Sequence, residues 1–100
     1  MKTTINQDGS RYEVAIKGRI DTVTANEFQA SIAPLLEADK PEIVIDCTEL
    51  EYTSSQGLRS FLMLQKSVNA HSGSLKLTNM KPQVKEVFDI TGFSSIIKIV

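Results

Sequence analysis

Tyr12, Val14 and Ile16 alternate with Arg11, Glu13, Ala15 and Lys17, the period-two pattern of a strand with one buried face and one mostly wet face. A weaker β signal at Thr3 to Ile5 precedes it. The Asp8-Gly9 pair between the two is a tight-turn cue, because glycine accepts positive φ. Two antiparallel strands are therefore predicted, the second closing over Gly18-Arg19-Ile20-Asp21. The period then lengthens. Phe28, Ile32, Leu35 and Leu36 recur at helical spacing, and Thr24 with Glu27 matches a capping box for a helix expected to run to about Asp39. Pro34 falls inside this stretch, where it removes one hydrogen bond and crowds the preceding turn, so a kink or an interruption near Ala33 is expected.

Pro41 stops that helix. Ile43-Val44-Ile45 with Cys47 is a short, nearly all-apolar run, the mark of a central strand covered on both faces and reached by a parallel crossover. An acidic turn with Glu49 and Glu51 is expected to follow, after which Ser54 or Ser55 opens a second helix that continues to about Asn69 and ends near Gly73. Leu75 and Leu77 suggest another short strand. Pro82 suits the first position of a third helix, with Val84, Val87 and Phe88 as its apolar face and Gly92 as its C-terminal cap. Ile96 to Val100 reads as a last strand. Strands alternating with helices in this way define an α/β fold.

Length and composition narrow the partners. The chain has 100 residues, 41% hydrophobic and 23% charged, which is enough for one small domain over residues 1–100 and too little for two. A formal net charge of -1 with both signs interspersed leaves no basic field for direct nucleic-acid binding. The N-terminal MKTTINQDGS is polar where a signal peptide needs its apolar core, and no run approaches the roughly 20 apolar residues that span a bilayer, so membrane insertion is not expected. A single cysteine, Cys47, has no internal disulfide partner and sits among apolar neighbours as a packed thiol. The reading is a cytoplasmic protein without cofactor or metal.

Chemistry concentrates at the junction before the second helix. Projected at about 3.6 residues per turn, Leu58, Phe61, Leu64 and Val68 form one side, the core contact. Ser55, Arg59, Leu62, Met63 and Lys66 form a neighbouring stripe, partly apolar and partly basic, with Leu62 and Met63 expected to be at least half exposed. Ser54 and Ser55 suit a helix cap. They equally suit a phosphoryl acceptor, since the helix start favours an added dianion and Arg59 lies one turn on. Spacing alone leaves both open. Serine nucleophile chemistry lacks its base, because the only histidine, His71, lies a full helix away, and Ser54-Ser55-Gln56-Gly57 lacks the first glycine of a nucleophile elbow. Asp46, Glu49 and Glu51 with one Cys and one His fall short of a metal site, and no glycine-rich phosphate loop is present.

These residues together resemble the STAS domain of bacterial anti-sigma factor antagonists. The resemblance is carried by Gly18 to Asp21 (GRID), by Val44 to Leu62 (VIDCTELEYTSSQGLRSFL), by Ser74 to Phe93, and by the closing apolar tail. It implies a mixed β-sheet of four to five strands with helices packed mainly on one side, and a non-enzymatic regulator. The family pattern Asp-Ser-Ser/Thr-Gly-Leu, aligned on Gly57-Leu58, implies phosphorylation at Ser55 by a kinase-type anti-sigma factor and its reversal by a PP2C-like phosphatase. Ser54 then stands where Asp is usual and is the alternative acceptor, while Gln56 replaces the second hydroxyl residue. The implied partner surface is Ser54, Ser55, Gln56, Arg59, Leu62, Met63 and Lys66. A non-phosphorylated STAS subunit of a transport or sensory complex, and a nucleotide-binding role, are the rival expectations.

Overall fold

The computed structural model describes residues 1–100. Strand β1 (Lys2–Asp8) turns through Gly9, at φ +62°, into β2 (Arg11–Ile20), and the two pair antiparallel from Lys2↔Lys17 to Asp8↔Arg11. Helix α1 (Ala25–Ile32) carries the chain to β3 (Glu42–Thr53), helix α2 (Ser55–Ala70) to β4 (Ser74–Thr78), and helix α3 (Pro82–Ile90) to the two-residue β5 (Lys98–Ile99). The sheet order is β1-β2-β3-β4-β5, with every pair after the first parallel.

That order decides which face is covered. Three successive parallel crossovers step across the sheet in one direction, and crossovers of the usual right-handed sense put all three helices on the same face. Burial agrees. Val14, Ile16, Ile43, Ile45, Leu75 and Leu77 face the helices and are buried, whereas Glu13, Ala15, Asp46 and Lys76 on the other face are exposed and Val44 is half-buried. The expected helices mainly on one side are present, and the expectation that β3 is covered on both faces is corrected. One phenylalanine from each helix joins the core, Phe28 and Phe61 at 5.0 Å between ring centroids and Phe61 and Phe88 at 5.5 Å, each in a tilted or edge-on contact.

Several boundaries follow local physics. Pro34 interrupts α1 as expected: the α-helix ends at Ile32 and a 3-10 turn, Ala33–Glu37, completes the connection. Pro82 occupies the first turn of α3, and Gly92 follows that helix at φ +81°. At the end of α2 the left-handed residue is Ser72, at φ 59°, and Gly73 serves a different need, since a Cβ there would run into the Pro41 carbonyl. The acidic turn expected after Cys47 is absent. β3 continues through Glu49 and Glu51 to Thr53, because β2 pairs with it along its full length, with register shifts beside Lys17 and Gly18. The last strand is shorter than the Ile96 to Val100 run suggested, because Ile96 closes a second 3-10 turn.

Candidate functional site

The site is built where β2 and β3 end together. Ile20 and Thr53 are register partners, and the Ser54 N–H donates to the Ile20 carbonyl at 2.7 Å, so the chain leaves the sheet with Ser54 pinned in extended geometry. Ser54 is the N-cap of α2: its hydroxyl accepts from the Gly57 N–H at 3.2 Å, its carbonyl accepts from the Leu58 N–H at 3.0 Å, and the residue is 7% exposed. Gly57 makes this close approach feasible. A Cβ there would overlap Thr53 Oγ1 and lie 2.7 Å from Ile20 Cγ2, and both neighbours are buried.

Ser55 has the opposite environment. It is exposed as the first residue of α2 and has no intramolecular side-chain hydrogen bond. The capping hydroxyl satisfies one helix-start donor, Gly57 N–H, while the first N–H groups of any helix, here those of Ser55 and Gln56, have no acceptor within it, the arrangement that favours an anion. Arg59 lies one turn on, exposed and outside the ion pairs of this chain, which join Arg11 to Glu13 and Glu42 and Lys85 to Asp89. Gln56 and Lys66 are exposed as well. Leu58, Phe61, Leu64 and Val68 are buried, as the helical projection predicts. Leu62 and Met63 are only partly exposed, less open than expected. They flank the line of Ser55, Arg59 and Lys66 on either side, so each leans toward an edge of the core.

Neighbouring groups were less legible. The capping box of Thr24 and Glu27 does not form, because the Thr24 hydroxyl instead accepts from the Asp21 N–H at 2.9 Å and donates to the Arg19 carbonyl at 2.7 Å. Asp21 closes the turn ahead of α1 through Oδ1, which accepts from the N–H groups of Val23 and Thr24. Those bonds, Thr24 foremost, hold its carboxyl below the usual carboxylate range. An Asp three residues before a Thr at a strand end was the available signal. On the paired ends of β2 and β3, the Arg19 guanidinium lies 4.5 Å over the Tyr52 ring.

Other chemistry lies elsewhere. Burial, with the Asp46 charge second, pushes the Cys47 thiol up to about 12. His71 sits at the far end of α2, with Nδ1 2.8 Å from the Ser67 carbonyl. Asp46, held below its ordinary value by the Thr48 hydroxyl first and the Thr48 N–H second, lines a shallow depression of about 320 Å³ on the uncovered sheet face with Thr4, Asn6, Glu13 and Asn79. No group of three or more His, Cys, Asp or Glu could hold a metal ion. No helix is long and apolar enough to cross a membrane.

A one-sided mixed sheet whose central strand runs into a serine-capped helix is the architecture of a STAS domain, and the STAS domain profile matches residues 2–100. The chain belongs to the STAS domain family, among the anti-sigma factor antagonists, a group of regulatory binding proteins. It is 34% identical over 95 residues to the anti-sigma-B factor antagonist of Bacillus subtilis, covering 95% of this chain and 86% of that protein. It is 32% identical over 99 residues to BtrV of Bordetella bronchiseptica, covering 99% of this chain and 85% of that one. The fold is similar to that of unphosphorylated SpoIIAA, an anti-sigma factor antagonist, with a TM-score of 0.82 at 18% identity over 99% of this chain and 88% of SpoIIAA. The phosphorylated form of SpoIIAA gives a TM-score of 0.74 over 99% of this chain and 91% of that one.

Proposed function

We propose that residues 1–100 act as one STAS domain in the cytoplasm, binding a serine-kinase anti-sigma factor through the start and exposed stripe of α2. Phosphorylation of Ser55 by that kinase switches the interaction off, and a PP2C-like phosphatase restores it. The observation that carries the choice of residue is the contrast between two adjacent hydroxyls: Ser54 is buried and engaged as the cap, while Ser55 is exposed and unengaged. A kinase must reach its acceptor oxygen. Ser54 Oγ would have to give up the Gly57 N–H first.

A phosphate at Ser55 would carry about -1.5 to -2 charges next to free helix-start N–H groups and one turn from Arg59. The helix therefore tolerates the modification, while a partner surface fitted to a neutral hydroxyl beside Leu62 and Met63 meets a hydrated dianion. The test uses the purified anti-sigma factor kinase of the same organism. Incubation with ATP should place one phosphate on Ser55 by mass spectrometry, Ser55→Ala should remove it, and the phosphorylated protein should no longer bind. Absence of phosphate on the wild-type chain would overturn the reading.

A further inference from the structure

The connection from β2 to α1, Asp21 to Thr24, is fixed far more tightly than an exposed turn of its length requires. Asp21 Oδ1 accepts from the Val23 and Thr24 N–H groups, each at 2.9 Å, Thr24 Oγ1 bridges the Asp21 N–H and the Arg19 carbonyl, and the Ala25 N–H donates to the Asp21 carbonyl at 2.9 Å. This frame presents a valine to water. Val23 is 81% exposed, more than any other large apolar side chain of the protein. A β-branched side chain on a pre-ordered turn has little conformational freedom left to lose on binding, which is the property of a good interface anchor.

Its position is equally specific. The turn follows directly on Ile20, whose carbonyl accepts from the Ser54 N–H and whose side chain packs against Gly57, so the turn that carries Val23 and the start of α2 leave the sheet at the same end. The remaining strongly exposed apolar residues, Ile90, Ile96 and Val100, belong to α3 and the C-terminal end of the chain instead. Resting on the function proposed above, we infer that Val23 is a specificity-determining residue of the same docking surface, seated in an apolar pocket of the anti-sigma factor kinase beside the place where Ser55 is received. A partner without that pocket leaves the valine in water and gains nothing from it; one with a polar group there loses that group's hydration.

The experiment titrates the full chain, as wild type, Val23→Ala and Val23→Asp, against the purified anti-sigma factor kinase of the same organism by calorimetry without ATP. Thermal midpoints serve as the folding control. Val23→Ala should bind about tenfold more weakly and Val23→Asp about a hundredfold or more, with thermal midpoints unchanged because the side chain is already solvated. Wild-type binding matched within twofold by both variants would overturn the anchor while leaving the proposed function intact. A wild-type chain that neither binds nor is phosphorylated overturns the proposed function and the anchor with it.

Discussion

Replacing Gly57 by alanine sets two effects against each other at the start of α2. Alanine is favoured over glycine inside a helix by up to about 1 kcal/mol, which argues for stabilisation. The added methyl, however, would overlap Thr53 Oγ1 and sit 2.7 Å from Ile20 Cγ2. Neither neighbour can give way, since Thr53 is 3% and Ile20 0% exposed. Overpacking a closed site of this kind costs about 1–3 kcal/mol. Relief by moving the helix outward would lengthen the 3.2 Å bond from the Gly57 N–H to Ser54 Oγ, a cap worth about 1 kcal/mol. The steric term therefore wins, and Gly57→Ala should destabilise by about 2 kcal/mol net. For a chain of this size that lowers the thermal midpoint by about 8–16 °C. Urea unfolding followed by far-UV circular dichroism, with the slope m unchanged, is the assay. An unchanged or raised midpoint would refute the claim that Gly57 is required for close approach.

The two serines should separate by stability. Ser54→Ala should lose about 1 kcal/mol by urea unfolding, while Ser55→Ala should stay within about 0.5 kcal/mol of wild type, because only the first hydroxyl is bonded. Asp46 binds its proton more weakly folded than unfolded, so its contribution is fully present above the unfolded value of 3.8 and is lost as pH falls through the lower folded value. Asp46→Asn should flatten the stability-versus-pH curve in that acid range; an identical acid limb in the variant would count against the Thr48 hydrogen bonds as the cause. Cys47, fully buried and with its thiol pushed up to about 12, should resist a thiol reagent at neutral pH in the native protein and react fully in denaturant.

Much of this molecule was written locally. The hairpin at Gly9, the break at Pro34, the start of α3 at Pro82 and the core face Leu58, Phe61, Leu64 and Val68 each depend on residues within a few positions of one another, which is why periodicity and turn chemistry find them. The family resemblance was carried along the chain by Gly18 to Asp21, Val44 to Leu62, Ser74 to Phe93 and the apolar tail, and the family match spans residues 2–100. Tertiary structure decided what depends on distant partners. Glu49 and Glu51 read as a turn because their acidic side chains say nothing of β2, yet pairing with β2 keeps them in a strand. Ile43-Val44-Ile45 reads as covered on both faces, and only the strand order, which sends every helix to one side, shows Val44 half in solvent. Thr24 matches a capping box, but Asp21 and the Arg19 carbonyl compete for its hydroxyl and prevail.

The pair of serines at the helix start shows the same division most sharply. Spacing by itself placed two hydroxyls there, with Arg59 one turn on, and left them unranked, while the resemblance pointed to Ser55. What separates them is non-local: the Ile20 carbonyl holds Ser54 in place, and the bare Cα of Gly57 lets the helix close on Thr53. One hydroxyl is consumed by the fold and its neighbour is left free in water.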